Sequence, residues 1–402
     1  MKIIFHLVAI IIVLLPSVAT HARSLTPQLL QKLGNGTILV EDMQGNRVFS
    51  HRTNEHFVPA SAIKIATSAC ALEALGSDFH FPTAIYQDGQ GVLYVKGFGD
   101  PFLVSEEIAK LVSRLKEKGV RKVSKIVLDD SYFSPNMKLD GQSSSLNPYD
   151  ARNSALLVNF NTINLKKMPS GQVVSAEPQT PITDLGKVFA KGLKVGKQRV
   201  NLSKYPDEAL IYAGELLKEF MIRNGIKVGG QIVGGTVPVS LKPILVYQSS
   251  KSIEGNIKDL LEYSNNIIAN QIFFFMGAYK HQAPATIEKG QLALNECLKT
   301  RFGWDNFTLV EGSGLSRQNR VTAEQLMVLV RYYDDHKELL PLKKKIFRAK
   351  TGTLTGVSTL AGFMTTPAGK TYRFVIMMKG PHATHGAKFA VGRELYRTLS
   401  QR

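Results

Sequence analysis

A serine and a lysine three residues apart, Ser61 and Lys64, have the types and spacing that covalent catalysis requires. On a helix, residues i and i+3 share a face, so the Lys64 amine can lie beside the Ser61 hydroxyl. A serine needs an adjacent base to become a nucleophile, and a lysine whose pKa is lowered by burial or by a nearby cation can be that base. The segment from Ser61 to Leu75 is nearly all apolar and Gly76 follows it, which predicts a buried helix that begins at the serine.

The same spacing occurs a second time, at Ser113 and Lys116, so the pair alone is weak evidence. This second pair lies in a charged, amphipathic helix predicted over residues 105–118, where a chance match is the better explanation. Taken alone, Ser61 is also explained as a helix-capping serine beside a lysine that reaches solvent.

The tripeptide Ser264-Asn265-Asn266 adds a hydroxyl and an amide in a region of helical periodicity. Its Ser-x-Asn pattern also occurs at residues 134–136 and 145–147, so it too carries little information alone. What favours Ser264 is the apolar helical run that follows it.

The tripeptide Lys350-Thr351-Gly352 occurs once and lies in a predicted strand over residues 345–354. A glycine in a strand lets a substrate backbone approach closely. Thr351 can hydrogen-bond a carboxylate, and Lys350 adds positive charge. The alternative is a basic edge strand that resists aggregation.

The elements around these motifs predict helices packed around an antiparallel sheet. Strand patterns at residues 345–354, 358–365 and 371–378 form a meander, and a hairpin over residues 36–50 can complete the sheet. Further helices are predicted over residues 207–223, 252–279 (one helix or a pair) and 385–399. Residues 78–204 differ, with strand patterns at 91–97, 125–129 and 156–165, and they predict a separate β-rich module.

Together and in this order, the three motifs resemble the Ser-x-x-Lys, Ser-x-Asn and Lys-Thr-Gly set of penicillin-binding proteins and serine β-lactamases. The interval from Ser61 to Ser264 is much longer than in class A β-lactamases. It resembles that of the class C low-molecular-mass penicillin-binding proteins, the D-alanyl-D-alanine carboxypeptidase/endopeptidase family. Further stretches that look like this family span nearly the whole mature chain: residues 59–64, 97–101, 129–133, 312–317, 319–320 and 349–354. Asn265 is a departure, because the family often has Asp there, and the insertion is shorter than in larger members.

The resemblance implies an α+β fold. A penicillin-binding/transpeptidase-like domain, an antiparallel sheet flanked by helices, would carry a β-rich inserted domain. The predicted boundaries are a signal peptide over residues 1–22, a catalytic domain over 23–77 and 205–402, and the insert over 78–204. The two ends of an inserted domain, here near Ser77 and Tyr205, are expected to lie close together.

The resemblance also implies the roles of the motif residues. Ser61 would attack the carbonyl carbon of a D-Ala-D-Ala or D-Ala-meso-diaminopimelate bond while Lys64 takes its proton. Ser264, helped by Lys350, would relay a proton to the leaving amine. Asn266 would hold the substrate amide.

The remaining implied roles concern substrate binding. Thr351, with Gly352 beside it, would bind the terminal carboxylate, and the backbone N–H groups of Ser61 and Thr353 would form the oxyanion hole. Asp129 and Arg317 match family positions that contact the side chain of the substrate peptide; the alternative is a strand-end acid and a surface arginine. Penicillins would inhibit the enzyme.

Charge and the N-terminus predict an exported protein. Lys and Arg number 50 against 32 Asp and Glu, and the net charge of +18 favours nucleic acid, acidic glycopolymers or a membrane surface. Lys2, the apolar run from Ile3 to Leu15 and the small residues after it predict a cleaved secretory signal, since the run is too short to span a membrane. We therefore expect the periplasm or the extracytoplasmic cell envelope.

The predicted partners are peptidoglycan stem peptides, β-lactam antibiotics and anionic cell-envelope surfaces. Export, together with the lack of a basic motif interleaved with aromatic residues, argues against nucleic acid.

Cysteine and histidine usage predicts no cofactor and no metal. Cys70 and Cys297 lie in apolar patterns, and two cysteines in a large chain are not a disulfide framework, so buried free thiols are expected, although pairing stays open. The nine histidines form no ligand cluster: His382 and His385 are three residues apart but have no obvious carboxylate or cysteine partner.

Two other functions fit parts of the pattern. A β-lactamase or esterase on the same scaffold would differ in how fast water hydrolyses the acyl-enzyme, which the sequence does not reveal. A non-catalytic peptidoglycan-binding protein is disfavoured because all three motifs are intact. The sequence also leaves open the balance between carboxypeptidase and endopeptidase activity.

Overall fold

The computed structural model describes residues 25–135, 137–143, 145, 147–202 and 206–401. The predicted signal peptide over residues 1–22 and the predicted end of the insert near Tyr205 lie outside the described residues.

The helices bear out most of the predicted ones. They are α1 (Pro27–Leu33), α2 (Lys64–Leu75), α3 (Ser105–Glu117), α4 (Asp184–Ala190), α5 (Pro206–Arg223), α6 (Ile253–Tyr263), α7 (Asn266–His281), α8 (Ile287–Phe302), α9 (Ala323–Tyr332) and α10 (Ala387–Ser400).

The strands fall into several sheets. They are β1 (Gly36–Asp42), β2 (Arg47–His51), β3 (His80–Gln87), β4 (Val92–Gly97), β5 (Lys122–Val123), β6 (Lys125–Asp129), β7 (Thr162–Lys167), β8 (Val173–Ser175), β9 (Gly196–Asn201), β10 (Lys227–Val228), β11 (Ile232–Gly234), β12 (Leu245–Ser252), β13 (Leu342–Lys343), β14 (Phe347–Leu354), β15 (Val357–Thr365) and β16 (Thr371–Lys379).

The central sheet has six antiparallel strands in the order β13-β14-β15-β16-β1-β2. This confirms the predicted meander and places the N-terminal hairpin beside its last strand. Both faces of β15 are buried because helices cover the sheet on both sides. One apolar core, which includes residues of α2, α6, α7, α8 and α9, covers one face, and a second core with α1 and α10 covers the other.

Helix α2 lies in the middle of the larger core and packs against α6, α7, α8 and α9. Every residue from Lys64 to Leu72 is buried, so the helix has no polar face. The predicted helix start at Ser61 is corrected: Ala60–Ile63 form a turn of 3₁₀ helix, and the α-helix begins at Lys64.

The inserted unit has its own apolar core, formed by α3 and α5 packed on a five-stranded sheet in the order β11-β6-β4-β3-β12. A three-stranded sheet, β8-β7-β9, packs against it through α4. The strand predicted over residues 156–165 starts later, at Thr162, after three residues with positive φ.

The predicted boundary of the insert at residue 204 is too early. Helix α5 and strands β11 and β12 belong to the core and sheet of the inserted unit, because the apolar face of α5 packs on α3 and β6. The unit therefore runs from β3 to β12. The ends of the unit so defined lie together: Ile253 N donates to Phe79 O at 2.7 Å and Glu254 N to Ser77 O at 3.3 Å. The predicted closeness of Ser77 and Tyr205 stays a prediction.

Cys70 and Cys297 form a disulfide, so the expectation of free thiols is wrong. Packing of α2 against α8 brings their Cα atoms to 5.9 Å, within the range a disulfide spans. Sequence alone could not show this, because the two helices are separated by the whole inserted unit. In the described part of the chain, no helix combines the length and apolar character that crossing a membrane needs.

Candidate active site

The first motif lies where the 3₁₀ turn meets α2. Lys64 Nζ is 3.0 Å from Ser61 Oγ, as the i, i+3 spacing predicts. Lys64 is 0% exposed, whereas Ser61 is partly exposed. The pair thus joins a reachable hydroxyl to an amine that is shielded from water.

The Lys64 amine has two further acceptors, Asn266 Oδ1 at 2.8 Å and the carbonyl oxygen of Ser313. Burial lowers the pKa of Lys64 to about 7, against an opposing effect of the Glu311 carboxylate. A neutral amine keeps two N–H donors, which suit Asn266 and Ser313, and its lone pair is then available to the Ser61 hydroxyl. The geometry therefore fits a base at neutral pH.

The second motif is the break between α6 and α7. Ser264 ends α6 in the left-handed region, with φ 54° and ψ 40°. A non-glycine residue there costs on the order of 1 kcal/mol or more, and such strain is concentrated at functional sites. Asn265 caps α7 through hydrogen bonds from the N–H groups of Ile267 and Ile268, so its role is structural.

The third motif approaches the second from β14. Lys350 Nζ donates to Ser264 Oγ at 2.8 Å and to the carbonyl oxygen of Thr351 at 2.8 Å. Burial, and then repulsion by Lys64, Lys343 and Lys388, lower the pKa of Lys350 well below its usual value. Two serines, each hydrogen-bonded to a buried lysine of lowered pKa, thus lie in one site.

Gly352 serves the packing of the site. A Cβ at this position would lie 2.1 Å from Thr359 Oγ1 and 2.6 Å from the carbonyl oxygen of Pro59. Thr359 Oγ1 donates to that same carbonyl at 2.8 Å. The glycine therefore lets β14 contact the turn that carries Ser61, which the sequence had suggested only for a substrate backbone.

Thr353 lies in the part of β14 that extends beyond its pairing with the edge strand β13. Strand β13 pairs only with Phe347 and Arg348 in the described chain. The N–H of Ala349 points outward, to Pro341 O at 3.0 Å. Because outward N–H groups alternate along an antiparallel strand, the N–H of Thr353 also faces this open edge.

Glu311 is a functional residue that was not predicted from the sequence, and it is 0% exposed at the start of a glycine-containing loop. Its carboxylate accepts from Ser313 N at 2.8 Å, Gly314 N at 2.7 Å and Asn319 Nδ2 at 2.9 Å. The loop so held places the Ser313 carbonyl on Lys64. Six polar residues in the short stretch 311–319 were the available signal.

Lys388, in the first turn of α10, was also missed. Its amine donates to the carbonyl oxygen of Gly352 at 3.0 Å and to Thr353 Oγ1. No pattern in the sequence distinguishes it from the other lysines near the C-terminus.

Asp129 lies in the inserted unit, and the structure gives it internal partners. Its carboxylate accepts from Ser131 N at 2.9 Å and Val237 N at 2.9 Å, and lies 3.3 Å from Lys96 Nζ. Burial alone would raise the pKa of Asp129, but these contacts and the Ser131 hydroxyl hold it below its usual value. Contact of Asp129 with the substrate side chain stays a prediction.

Arg317 is exposed and reaches the end of β14, where its Nη2 donates to Thr355 O at 2.7 Å. It therefore lies beside the motif strand, unlike Asp129, whose contacts are all within the inserted unit. Among the described residues, no group of three or more His, Cys, Asp or Glu side chains could hold a metal ion.

The model of the D-Ala-D-Ala carboxypeptidase 3 (S13) family matches three overlapping segments, residues 16–202, 192–346 and 341–392. The chain belongs to that family. Membership confirms the resemblance to class C low-molecular-mass penicillin-binding proteins. It also confirms the enzyme class, a serine-type D-Ala-D-Ala carboxypeptidase of a penicillin-sensitive carboxypeptidase/endopeptidase family that acts on peptidoglycan.

Curated relatives and solved structures agree with this placement. The D-alanyl-D-alanine carboxypeptidase DacB of Haemophilus influenzae is 26% identical over 90% of each chain. The D-alanyl-D-alanine carboxypeptidase of an Actinomadura species is 26% identical over 84% of this chain and 76% of its own. Penicillin-binding protein 4 of Haemophilus influenzae has a TM-score of 0.76 at 23% identity, covering 93% of this chain and 98% of that one, which confirms the α+β fold. A penicillin G-acylated predatory endopeptidase from Bdellovibrio bacteriovorus shares the fold less closely, with a TM-score of 0.53 at 17% identity over 91% of each chain.

Proposed function

We propose that this protein cleaves the D-Ala-D-Ala or D-Ala-meso-diaminopimelate bond of peptidoglycan stem peptides through an acyl-enzyme on Ser61. The observation that carries the proposal is the pair of short contacts from Lys64 Nζ to Ser61 Oγ and from Lys350 Nζ to Ser264 Oγ. Penicillins would acylate the same serine, because their strained amide presents a carbonyl to it.

Acylation begins with the Lys64–Ser61 pair. Neutral Lys64 takes the proton of the Ser61 hydroxyl as Oγ attacks the substrate carbonyl carbon. The N–H groups of Ser61 and Thr353 stabilise the oxygen that becomes negative; losing one such donor typically costs about 10²–10³ in rate.

The leaving amine needs a proton, and Ser264 is placed to relay it. Its hydroxyl accepts from Lys350 at 2.8 Å, which orients it, and it would give its proton to the amine while taking up the proton that Lys64 received from Ser61. Asn266 shares its side-chain oxygen with Lys64, and its amide nitrogen suits a substrate carbonyl. Water then attacks the ester carbonyl, which releases the shortened peptide and restores the Ser61 hydroxyl.

Substrate binding is assigned to the motif strand and the loop beside it. Thr351 and Gly352 would bind the terminal carboxylate of the substrate. Arg317, whose guanidinium group lies at the end of β14, would contact the side chain of the peptide. Asp129 would be a second contact with that side chain. Its partners in the inserted unit favour a structural role instead, and the variant Asp129→Asn tests between the two.

The N-terminal sequence and the charge support the location. A cleaved signal over residues 1–22 would export the protein to the periplasm or the extracytoplasmic envelope, where peptidoglycan lies. Cleavage removes only one charged residue, Lys2, and the remaining net charge of +17 favours additional peripheral contact with anionic envelope surfaces.

Labelling with fluorescent penicillin, followed by digestion of muropeptides, tests the proposal. We expect label on a peptide that contains Ser61, no label on Ser61→Ala, and unchanged label on the matched variant Ser113→Ala. The masses of the muropeptide products separate carboxypeptidase from endopeptidase activity, and rapid loss of label would indicate a β-lactamase. Label on Ser113, or a fully labelled Ser61→Ala, would refute the proposed nucleophile.

A further inference from the structure

Lys388 is a buried cation that the mechanism above does not use. It is 0% exposed in the first turn of α10. Its amine donates to the Gly352 carbonyl at 3.0 Å, to Thr353 Oγ1, and to Ser358 Oγ at 3.5 Å. Two of these three acceptors belong to the strand that carries the third motif.

Burying an ammonium group costs free energy, and burying an apolar side chain of similar volume in the same place usually costs less. None of the described contacts of the Lys388 amine is to a carboxylate. Burial lowers the pKa of Lys388 to about 8, so most of it is still protonated at neutral pH. A cation kept in such a place indicates a use for its charge.

The contact with Lys388 fixes the direction of the Thr353 hydroxyl. An ammonium group only donates, so Thr353 Oγ1 must accept from it, and the hydroxyl hydrogen of Thr353 is left to be donated elsewhere. Thr353 is exposed and, two residues from Thr351, has its side chain on the same face of β14. The bond to the Gly352 carbonyl holds the adjoining peptide unit in place.

We infer that Lys388 is a positioning residue that aims the Thr353 hydroxyl, as a donor, at the free carboxylate of the substrate. The inference rests on the proposed function and adds a specificity device to it: preference for a C-terminal carboxylate over a neutral terminus.

The test compares two stem peptides that differ only at the terminus, one with a free D-Ala carboxylate and one with a C-terminal carboxamide. In Lys388→Met, kcat/KM for the acid peptide should fall about tenfold, the loss that one hydrogen bond to a charged group produces, mostly through KM. For the carboxamide peptide it should fall less than about twofold. Thr353→Val should show the same selective loss, and the double variant no further loss.

A matched control and a second variant keep the test decisive. Lys344 is an exposed cation whose amine lies 5.5 Å from the Phe389 ring of α10, and Lys344→Met should leave both peptides unaffected. If Lys388→Met has a lowered melting temperature, Lys388→Gln replaces it; if neither folds, an unchanged preference in Thr353→Val overturns the inference.

Equal losses on both peptides would mean that Lys388 only supports the fold, and would overturn the positioning role alone. A wild-type protein that takes no penicillin label at Ser61 would refute the proposed function and the positioning role with it. The two failures are therefore distinguishable.

Discussion

The chain carries Ser-x-x-Lys twice, at Ser61 and at Ser113, and the two regions differ in how deeply they bury the lysine. Lys64 is 0% exposed in the middle of the larger core, and its pKa is lowered to about 7. Ser113 and Lys116 are exposed on the polar face of α3, whose apolar face packs into the inserted unit. The spacing brings a hydroxyl and an amine together, but only burial makes the amine a base at neutral pH.

The same contrast extends to other buried charges. Lys64 and Lys350 lie within one site, and for both burial outweighs the favourable contacts, so their pKa values fall. For Asp129 in the inserted unit, hydrogen bonds outweigh burial and keep the carboxylate charged. The two motif lysines therefore differ from Asp129 in how far their charges are compensated, although burial also raises the pKa values of Asp100 and Asp130 in the inserted unit.

The largest effect expected is that of Lys64→Arg, because a guanidinium group does not give up its proton at neutral pH. Removing a positioned base costs about 10²–10⁴ in rate, and acylation by fluorescent penicillin should fall by that factor. The matched variant Lys116→Arg should acylate like the wild type. A Lys64→Arg protein that acylates at a near-normal rate would show that Lys64 is not the base, and that its burial is not what distinguishes it from Lys116.

Removing the disulfide should have a smaller effect than Lys64→Arg, and the effect should be on the stability of the fold and not on the acylation rate. Cys70→Ser with Cys297→Ser frees α2 from α8, and loss of a native crosslink typically lowers the free energy of unfolding by about 2–4 kcal/mol. Denaturant unfolding of the oxidised wild type and the double variant measures the difference. We expect the folded double variant still to take penicillin label. A fully folded variant that takes no label would show that the disulfide is needed to keep Lys64 in place.

Asp129→Asn should destabilise the inserted unit by about 1–3 kcal/mol, since it disturbs hydrogen bonds to a buried charge. Because the pKa of Asp129 is lowered in the folded state, its contribution is present above the unfolded value of about 3.9 and is lost as pH falls below it. Thermal melting at pH 7 and pH 3 checks both statements. Selectively slower cleavage of a peptide with a free side-chain amine, with unchanged penicillin labelling, would instead support the predicted substrate contact.

The smallest effect is a pH dependence. Lys64 acts as a base only when neutral, so the acylation rate should rise with pH through about 7 and fall roughly tenfold for each unit below it. In Glu311→Gln this rise should move to lower pH, because the charge that raises the Lys64 pKa is gone. A profile centred near 10 in the wild type would mean that burial does not perturb Lys64.

Much of the site could be predicted because its residues lie in short, local patterns. The spacing of Ser61 and Lys64 fixes their contact through helix geometry, and the three motifs together identify a family whose motifs converge. The meander and the hairpin were predictable from alternation and from turn residues at Gln44-Gly45-Asn46.

What could not be predicted depends on long-range packing. Helix α5 has an apolar face that would suit either core, so nothing local places it in the inserted unit. Glu311 and Lys388 act by reaching other segments, and their own neighbours in sequence give no sign of this. The pairing of Cys70 with Cys297 likewise depends on how α2 meets α8.

The disulfide has a consequence for the integrity of the molecule after proteolysis. Cys70 precedes the inserted unit and Cys297 follows it, so the crosslink encloses that unit completely. A protease that cuts once in the exposed stretch at residues 191–197 would leave two fragments, one with Ser61 and Lys64 and the other with Ser264 and Lys350, still covalently joined. On an unreduced gel the nicked protein would run as one band, and reduction would release the penicillin-labelled N-terminal fragment from its partner.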